Sequence, residues 1–174
     1  MRMMEFNLKK NSANIGVKLG VVLLILSTFS YIYDIKLFYN RVLSSCSFPI
    51  IIGFCIYSIY DAKKLQNQII SFKEAFTAYF VCIVVGYLIL SVVDIIIFKF
   101  IDPEAGKIIN EELMIQQKEI WDSQQKPEDE ITKGLANMQN YPRYSYFSVY
   151  MNYMFTILFN AFVGLFPAFI LKKS

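Results

Sequence analysis

Residues 75–98 read AFTAYFVCIVVGYLILSVVDIIIF, and Asp94 is the one Asp, Glu, Lys or Arg in the run. A hydrocarbon core about 30 Å thick is crossed by roughly 20 helical residues, so this stretch is predicted to span a bilayer. Three further runs approach or meet that length: 13–33, 42–60 and Tyr146–Leu171. The pattern predicts an all-α integral membrane four-helix bundle, a single membrane domain over residues 1–174. Composition points the same way, since 56% of the 174 residues are hydrophobic and the mean hydropathy is +0.43, above the apolar share usual for soluble domains.

The same composition removes several chemistries. Histidine is absent, which excludes His-based triads, His-ligated zinc or haem and imidazole relays. Cys46, Cys55 and Cys82 stand apart within apolar runs, so they read as small hydrophobes rather than metal ligands or disulfide partners. No cofactor, metal site or catalytic residue is expected.

Orientation follows from the basic flanks. Arg2, Lys9, Lys10 and Lys18 precede or enter the first run, as in a signal peptide. The STFSYIYD after Leu26 offers no small-residue cleavage site, so the run reads as an uncleaved anchor. Lys63, Lys64 and Lys73 follow the second run and Lys172 and Lys173 close the chain, whereas the opposing short loop holds Lys36 and Arg41. Both termini and the loop 61–73 are therefore predicted cytoplasmic. The acidic segment 99–145 falls outside. The basic face follows from topology alone, so the expected partner is the lipid bilayer and no nucleic acid.

Local signals place the boundaries. Ser71 and Glu74 form a capping-box pattern that starts the third span, with Ile70 against Ala75 as a hydrophobic staple. Asp102-Pro103-Glu104 combines an N-cap acid, a first-turn proline and an acid at the positive end of a helix dipole. An outer helix is predicted from Pro103 to about Gln124, with Ile109, Leu113 and Ile120 on one face, Gln116 between them, and Ile108 and Ile115 beside them. A shorter helix follows from Pro127 towards Met138. The pair reads as helices lying on the outer surface or against the spans, and alternatively as a lid or docking platform. Tyr141, Tyr144, Tyr146 and Tyr150 read as an interfacial aromatic belt. Asp34 and Asp61, each in an Ile-Tyr-Asp triplet, read as interfacial helix ends.

With the third span centred near Tyr87, Asp94 lies about 10 Å from the midplane, still inside hydrocarbon. A carboxylate at that depth needs a partner. In the fourth span Ser148, Asn152, Thr156, Asn160, Gly164 and Ala168 recur every four residues, and in the third Ala78, Cys82, Gly86, Leu90 and Asp94 do the same. Antiparallel packing of these stripes matches Asp94 to Asn152, Leu90 to Thr156, Gly86 to Asn160, Cys82 to Gly164 and Ala78 to Ala168. The alternative leaves Asp94 facing the first span near Ser27 and Ser30. Gly16-x-x-x-Gly20, and Ser45, Pro49 and Gly53 in the second span, are packing marks, with a dimer interface the weaker reading.

The stretch from ISFKEAF at 70–76 to FKFIDPE at 98–104, followed by an acidic helical segment and a last span ending in Lys172-Lys173, resembles the domain of unknown function 4199 family. That resemblance implies small four-span membrane proteins of the Bacteroidota, with no established activity and no site residues to carry over. It also implies proximity to an envelope-biogenesis protein such as a glycosyltransferase.

Three functions compete. The expected one is a non-enzymatic accessory or scaffold subunit of a membrane or envelope complex. The alternative is a small proton- or solute-coupled carrier in which Asp94 and the fourth-span amides line a polar path, although broken mid-membrane helices are lacking. A membrane enzyme would need a carboxylate or basic cluster at one interface, and the Asp102/Glu104 pair already serves as a helix start.

Overall fold

The computed structural model describes residues 2–38 and 41–172, with side-chain surroundings for 6–38 and 47–172. The expectations for the side chains of Arg2, Arg41, Ser45, Cys46 and Lys173 lie outside the described residues. Among the described residues every regular element is a helix: α1 (Arg2–Tyr33), α2 (Arg41–Leu65), α3 (Phe72–Ile95), α4 (Pro103–Ser123), α5 (Glu128–Asn140) and α6 (Tyr146–Leu171). A 3-10 turn (Ile35–Phe38) follows α1 and a π-helical turn (Ile96–Ile101) extends α3.

Three helical stretches are long and apolar enough to cross a membrane among the described residues: Phe6–Tyr33, Phe72–Ile101 and Tyr146–Leu171. Their outward faces are apolar. On α6 alone Phe155, Phe162, Phe166 and Ile170 are each more than 60% exposed, an arrangement that water would oppose and lipid would accept.

α3 is the axis of the assembly, packed against α1, α2 and α6. α1 runs parallel to it. A Cβ on Gly16 would lie 2.7 Å from the Cys82 carbonyl, one on Gly20 2.7 Å from the Ile89 side chain, and one on Gly86 2.8 Å from Leu19. Three glycines thus let two backbones approach until no side chain fits between them. This differs from the expected pairing of Gly86 with Asn160, because Gly86 points at α1. Leu8, Ser12, Ile15, Leu19 and Leu23 are all buried, a helical stripe that explains why α1 begins well before residue 13.

α2 and α6 run antiparallel to α3. The Ser58 hydroxyl donates to the Ala78 carbonyl at 3.0 Å, Cys55 and Cys82 are buried free thiols, and Gly164 sits under the Tyr79 ring. Lys63 Nζ donates to the last carbonyl of α6, that of Leu171, at 3.2 Å. These residues close a dry core at the proximal end, where α1 and α3 begin. A second, smaller core at the distal end joins Phe98, Ala105, Ile109 and Tyr144.

Both helix starts read from sequence are present. Ser71 and Glu74 form the reciprocal capping box, and Ile70 and Ala75 are fully buried beside it. Asp102 caps α4 by accepting from the Ala105 N–H at 3.0 Å, with Pro103 at the first helical position. Its other oxygen accepts from the Tyr31 hydroxyl at 2.8 Å, tying the start of α4 to the end of α1. These two donors hold the Asp102 carboxyl below its ordinary range, because both favour the charged form.

Two further expectations change. Tyr144 is buried and stacks on Phe98, with ring centroids 4.2 Å apart, so it belongs to the distal core and not to an interfacial belt. Asp61 does not end a helix, since α2 continues to Leu65 and Asp61 accepts from the Asn11 amide.

Candidate functional site

Over the distal end, α4 and α5 fold back as a hairpin. Gly106 brings α4 onto the π-helical turn, where an added Cβ would lie 2.8 Å from the Phe98 carbonyl. Gly134 of α5 packs directly beneath the Trp121 ring of α4. The π turn is closed by a 2.7 Å bond from the Asp102 N–H to the Ile97 carbonyl. Such a turn inserts one residue into the helical ladder and re-aims the side chains beyond it. Here it directs Phe98 inward, under α4.

Between this hairpin and the ends of α3 and α6 lies a cavity of about 670 Å³, within the range of small-molecule sites. Its floor includes Ser91 and Asp94 from α3 and Ser148 and Asn152 from α6. Asn110, Gln116 and Gln117 of α4 supply amides, and Arg143 enters from the α5–α6 connection. Among the described residues the Asp94 carboxylate accepts one hydrogen bond, a long 3.5 Å contact from the Ser27 hydroxyl of α1. Arg143 is placed by its backbone, whose N–H donates to Asn110 Oδ1 at 3.0 Å. Burial pushes the neighbouring Tyr144 phenol up to about 12.

The residues singled out from sequence divide accordingly. Asp94 and Asn152 share the cavity, but among the described residues no hydrogen bond joins them, and Ser27 supplies the one donor to Asp94. Thr156 is half-buried and its carbonyl accepts from the Asn160 amide nitrogen at 2.9 Å. Asn160 is buried with its Oδ1 unpartnered, as is the Tyr79 hydroxyl on the facing helix. Gly164 makes the close approach of α6 to α3, and Gly86 that of α1 to α3.

Arg143 and the α4 amides escaped sequence reasoning. Arg143 counted only towards loop charge, and its position depends on Asn110, 33 residues away. Gln116 did carry a signal. It interrupts the apolar face between Leu113 and Ile120, where an inward amide marks a polar chamber rather than a core.

The arrangement can bind. It presents one carboxylate, one guanidinium and several two-way amides in a sheltered volume. Among the described residues no group of three or more Cys, Asp or Glu side chains is placed to hold a metal ion.

Fold and site together define an all-helical protein with membrane-type helices and a polar chamber under a helical hairpin. The chain belongs to the DUF4199 family of proteins of unknown function, whose pattern matches residues 14–173. No curated protein and no solved structure matches it.

Proposed function

We propose that this is a four-span protein of the bacterial inner membrane, α1, α2, α3 and α6 crossing it, with both termini and the α2–α3 loop cytoplasmic and the α4–α5 hairpin outside. In this reading it is a non-enzymatic accessory subunit of an envelope complex whose binding function resides in the distal cavity. The observation that carries the reading is that cavity, lined by Asp94, Arg143 and several amides at the distal end of the bundle. The short basic flanks, Lys9, Lys10, Lys63, Lys64 and Lys73, support the orientation. The apolar faces of α6 are open to an envelope partner such as a glycosyltransferase as well as to lipid.

Single cysteines at Lys10 and Gln117, introduced into a Cys46→Ala chain, test the reading. Cys55 and Cys82 are fully buried and stay silent. An impermeant maleimide added to intact cells should label position 117 and not position 10. Labelling at 10 overturns the orientation, and no labelling at 117 overturns the outward cavity. Purification in mild detergent should bring down a stoichiometric membrane partner, and a homogeneous chain free of partners would overturn the accessory role.

The carrier reading has one observation in its favour: Asn160 Oδ1 and the Tyr79 hydroxyl lie unpartnered in the bundle on the proximal side of the cavity. Solute or proton flux in liposomes that is lost in Asp94→Asn would establish it over the accessory role.

A further inference from the structure

We infer that the distal cavity takes a small zwitterion, its primary ammonium on the Asp94 carboxylate and its oxyanion, carboxylate or phosphate, on the Arg143 guanidinium. This rests on the reading of the cavity as an outward binding site and adds the chemistry of what it binds.

Among the described residues neither charge has an ionic partner: Arg143 lies over the Tyr144 ring, and Asp94 meets a hydroxyl. A carboxylate offers about four acceptor directions, yet among the described residues Asp94 is met by one hydroxyl at 3.5 Å. In a membrane-spanning helix such a group demands more. Arg143 is close enough to act on Asp94 electrostatically, but among the described residues the ion pairs are Lys107–Glu104 and Lys133–Asp129, and none joins Arg143 to Asp94. The two opposite charges face the same open volume without touching.

Their relative height fits a bridging molecule. Tyr144 stacks on Phe98 and Lys99 lies over the Tyr146 ring, so the chain at Arg143 stands level with Phe98 of the α3 extension. That is four residues beyond Asp94, or about 6 Å along a helix. That offset is along the axis alone, and the width of the 670 Å³ cavity adds to it, so charge-assisted hydrogen bonds of about 2.8 Å at each end leave room for a ligand whose own charges are a few bonds apart. A lone cation would leave the guanidinium facing it, and a lone anion would meet the carboxylate. A zwitterion answers both. Asn110 and Gln116 can each donate and accept, so they suit the polar atoms between the charges, and Gln117 beside them serves as a reporter position.

The chemistry has two sources, a soluble zwitterion or the headgroup of phosphatidylethanolamine. The test uses the full chain with Cys46→Ala and Gln117→Cys in nanodiscs of phosphatidylglycerol, with the rate of maleimide labelling at position 117 as the readout. O-phosphoethanolamine should slow labelling, while ethanolamine, inorganic phosphate and glucose at equal concentration should not. Asp94→Asn and Arg143→Gln should each weaken the protection about tenfold, the usual effect of one lost charge-assisted hydrogen bond. Arg143 is exposed, so its variant carries the test if Asp94→Asn fails to accumulate. Protection in phosphatidylethanolamine nanodiscs without added solute assigns the lipid source, and its absence there assigns the soluble one.

Brisk labelling that phosphoethanolamine leaves unchanged, with no slowing in phosphatidylethanolamine nanodiscs, would overturn the inference while leaving the outward cavity intact. Equal protection by glucose, or protection that survives both variants, would also overturn it. A position 117 that never labels defeats the cavity reading itself.

Discussion

The two sides of α3 show opposite uses of one largely apolar helix. Towards α1 the helices run parallel and touch along their length, from Gly16 at Cys82 through Gly20 at Ile89 to Ser27 at Asp94. Towards α6 they are antiparallel, close at Gly164 under Tyr79, and part at the distal end around the cavity. The helix is apolar nearly all round. The difference is where glycine removes the side chain and where polar groups need room, so backbone distance in this protein follows residue size and hydrogen-bonding demand rather than apolarity.

The largest effect should come from filling the α1 side. A Cβ at Gly16 meets the Cys82 carbonyl at 2.7 Å and the Val85 Cβ at 2.9 Å, and a backbone oxygen within a helix cannot swing aside. Gly16→Ala should cost about 1–3 kcal/mol, the usual price of overpacking, read as a lower melting temperature in detergent. Gly53→Ala is its control, since no atom lies within 4 Å of the added Cβ. Equal losses at both positions would break the contrast.

Gly164→Ala should come next. Its Cβ meets Tyr79 Cδ1 at 2.5 Å, but this obstacle is a side chain whose hydroxyl has no partner to lose. A loss towards the lower end of the same range, about 1–2 kcal/mol, is expected. Tyr79→Leu should recover part of it in a double-mutant cycle. Strict additivity would show that the two residues do not touch.

A crosslinking pair sharpens the comparison without relying on stability. In the Cys46→Ala chain, cysteines at 27 and 94 should form a disulfide under mild oxidation, because the side chains they replace are hydrogen-bonded. Cysteines at 94 and 152 face each other across the cavity and should need a bifunctional reagent. A ready disulfide at 94–152 with none at 27–94 would exchange the tight side of α3 for the open one.

What sequence revealed was local. The Ser71/Glu74 box and the Asp102-Pro103 start depend on residues within three positions of one another, and both are formed. Gly16-x-x-x-Gly20 told that a helix comes close but not which one, and α3 lies more than sixty positions away. Tyr144 was misread because its burial depends on Phe98, which is aimed by a π-helical turn that no hydrophobic period announces. The cavity was illegible for the same reason. Asp94 is conspicuous in a span, but Arg143 and the α4 amides reach it only once the hairpin has folded back.

The smallest effect belongs to Asp102, which joins the two sides of the comparison by linking the end of α1 to the hairpin above the cavity. Its carboxyl lies below the ordinary 3.8, chiefly through the Ala105 N–H and then the Tyr31 hydroxyl. A carboxyl depressed on folding stabilises the protein above its unfolded value, and that contribution is lost as pH falls through the folded one. Stability should therefore be flat in this respect from neutrality to about pH 5 and decline below about pH 4, near the ordinary carboxylate range. Asp102→Asn keeps an N-cap acceptor and removes the charge, so it should flatten that acid limb while sparing helix α4. Asp102→Ala removes the cap and the Tyr31 bond together and should also loosen the hairpin, seen as faster amide exchange in the first turn of α4. Unchanged exchange there would mean that the hairpin is held by Gly106 on Phe98 and by the distal core alone, and that the link to α1 is dispensable.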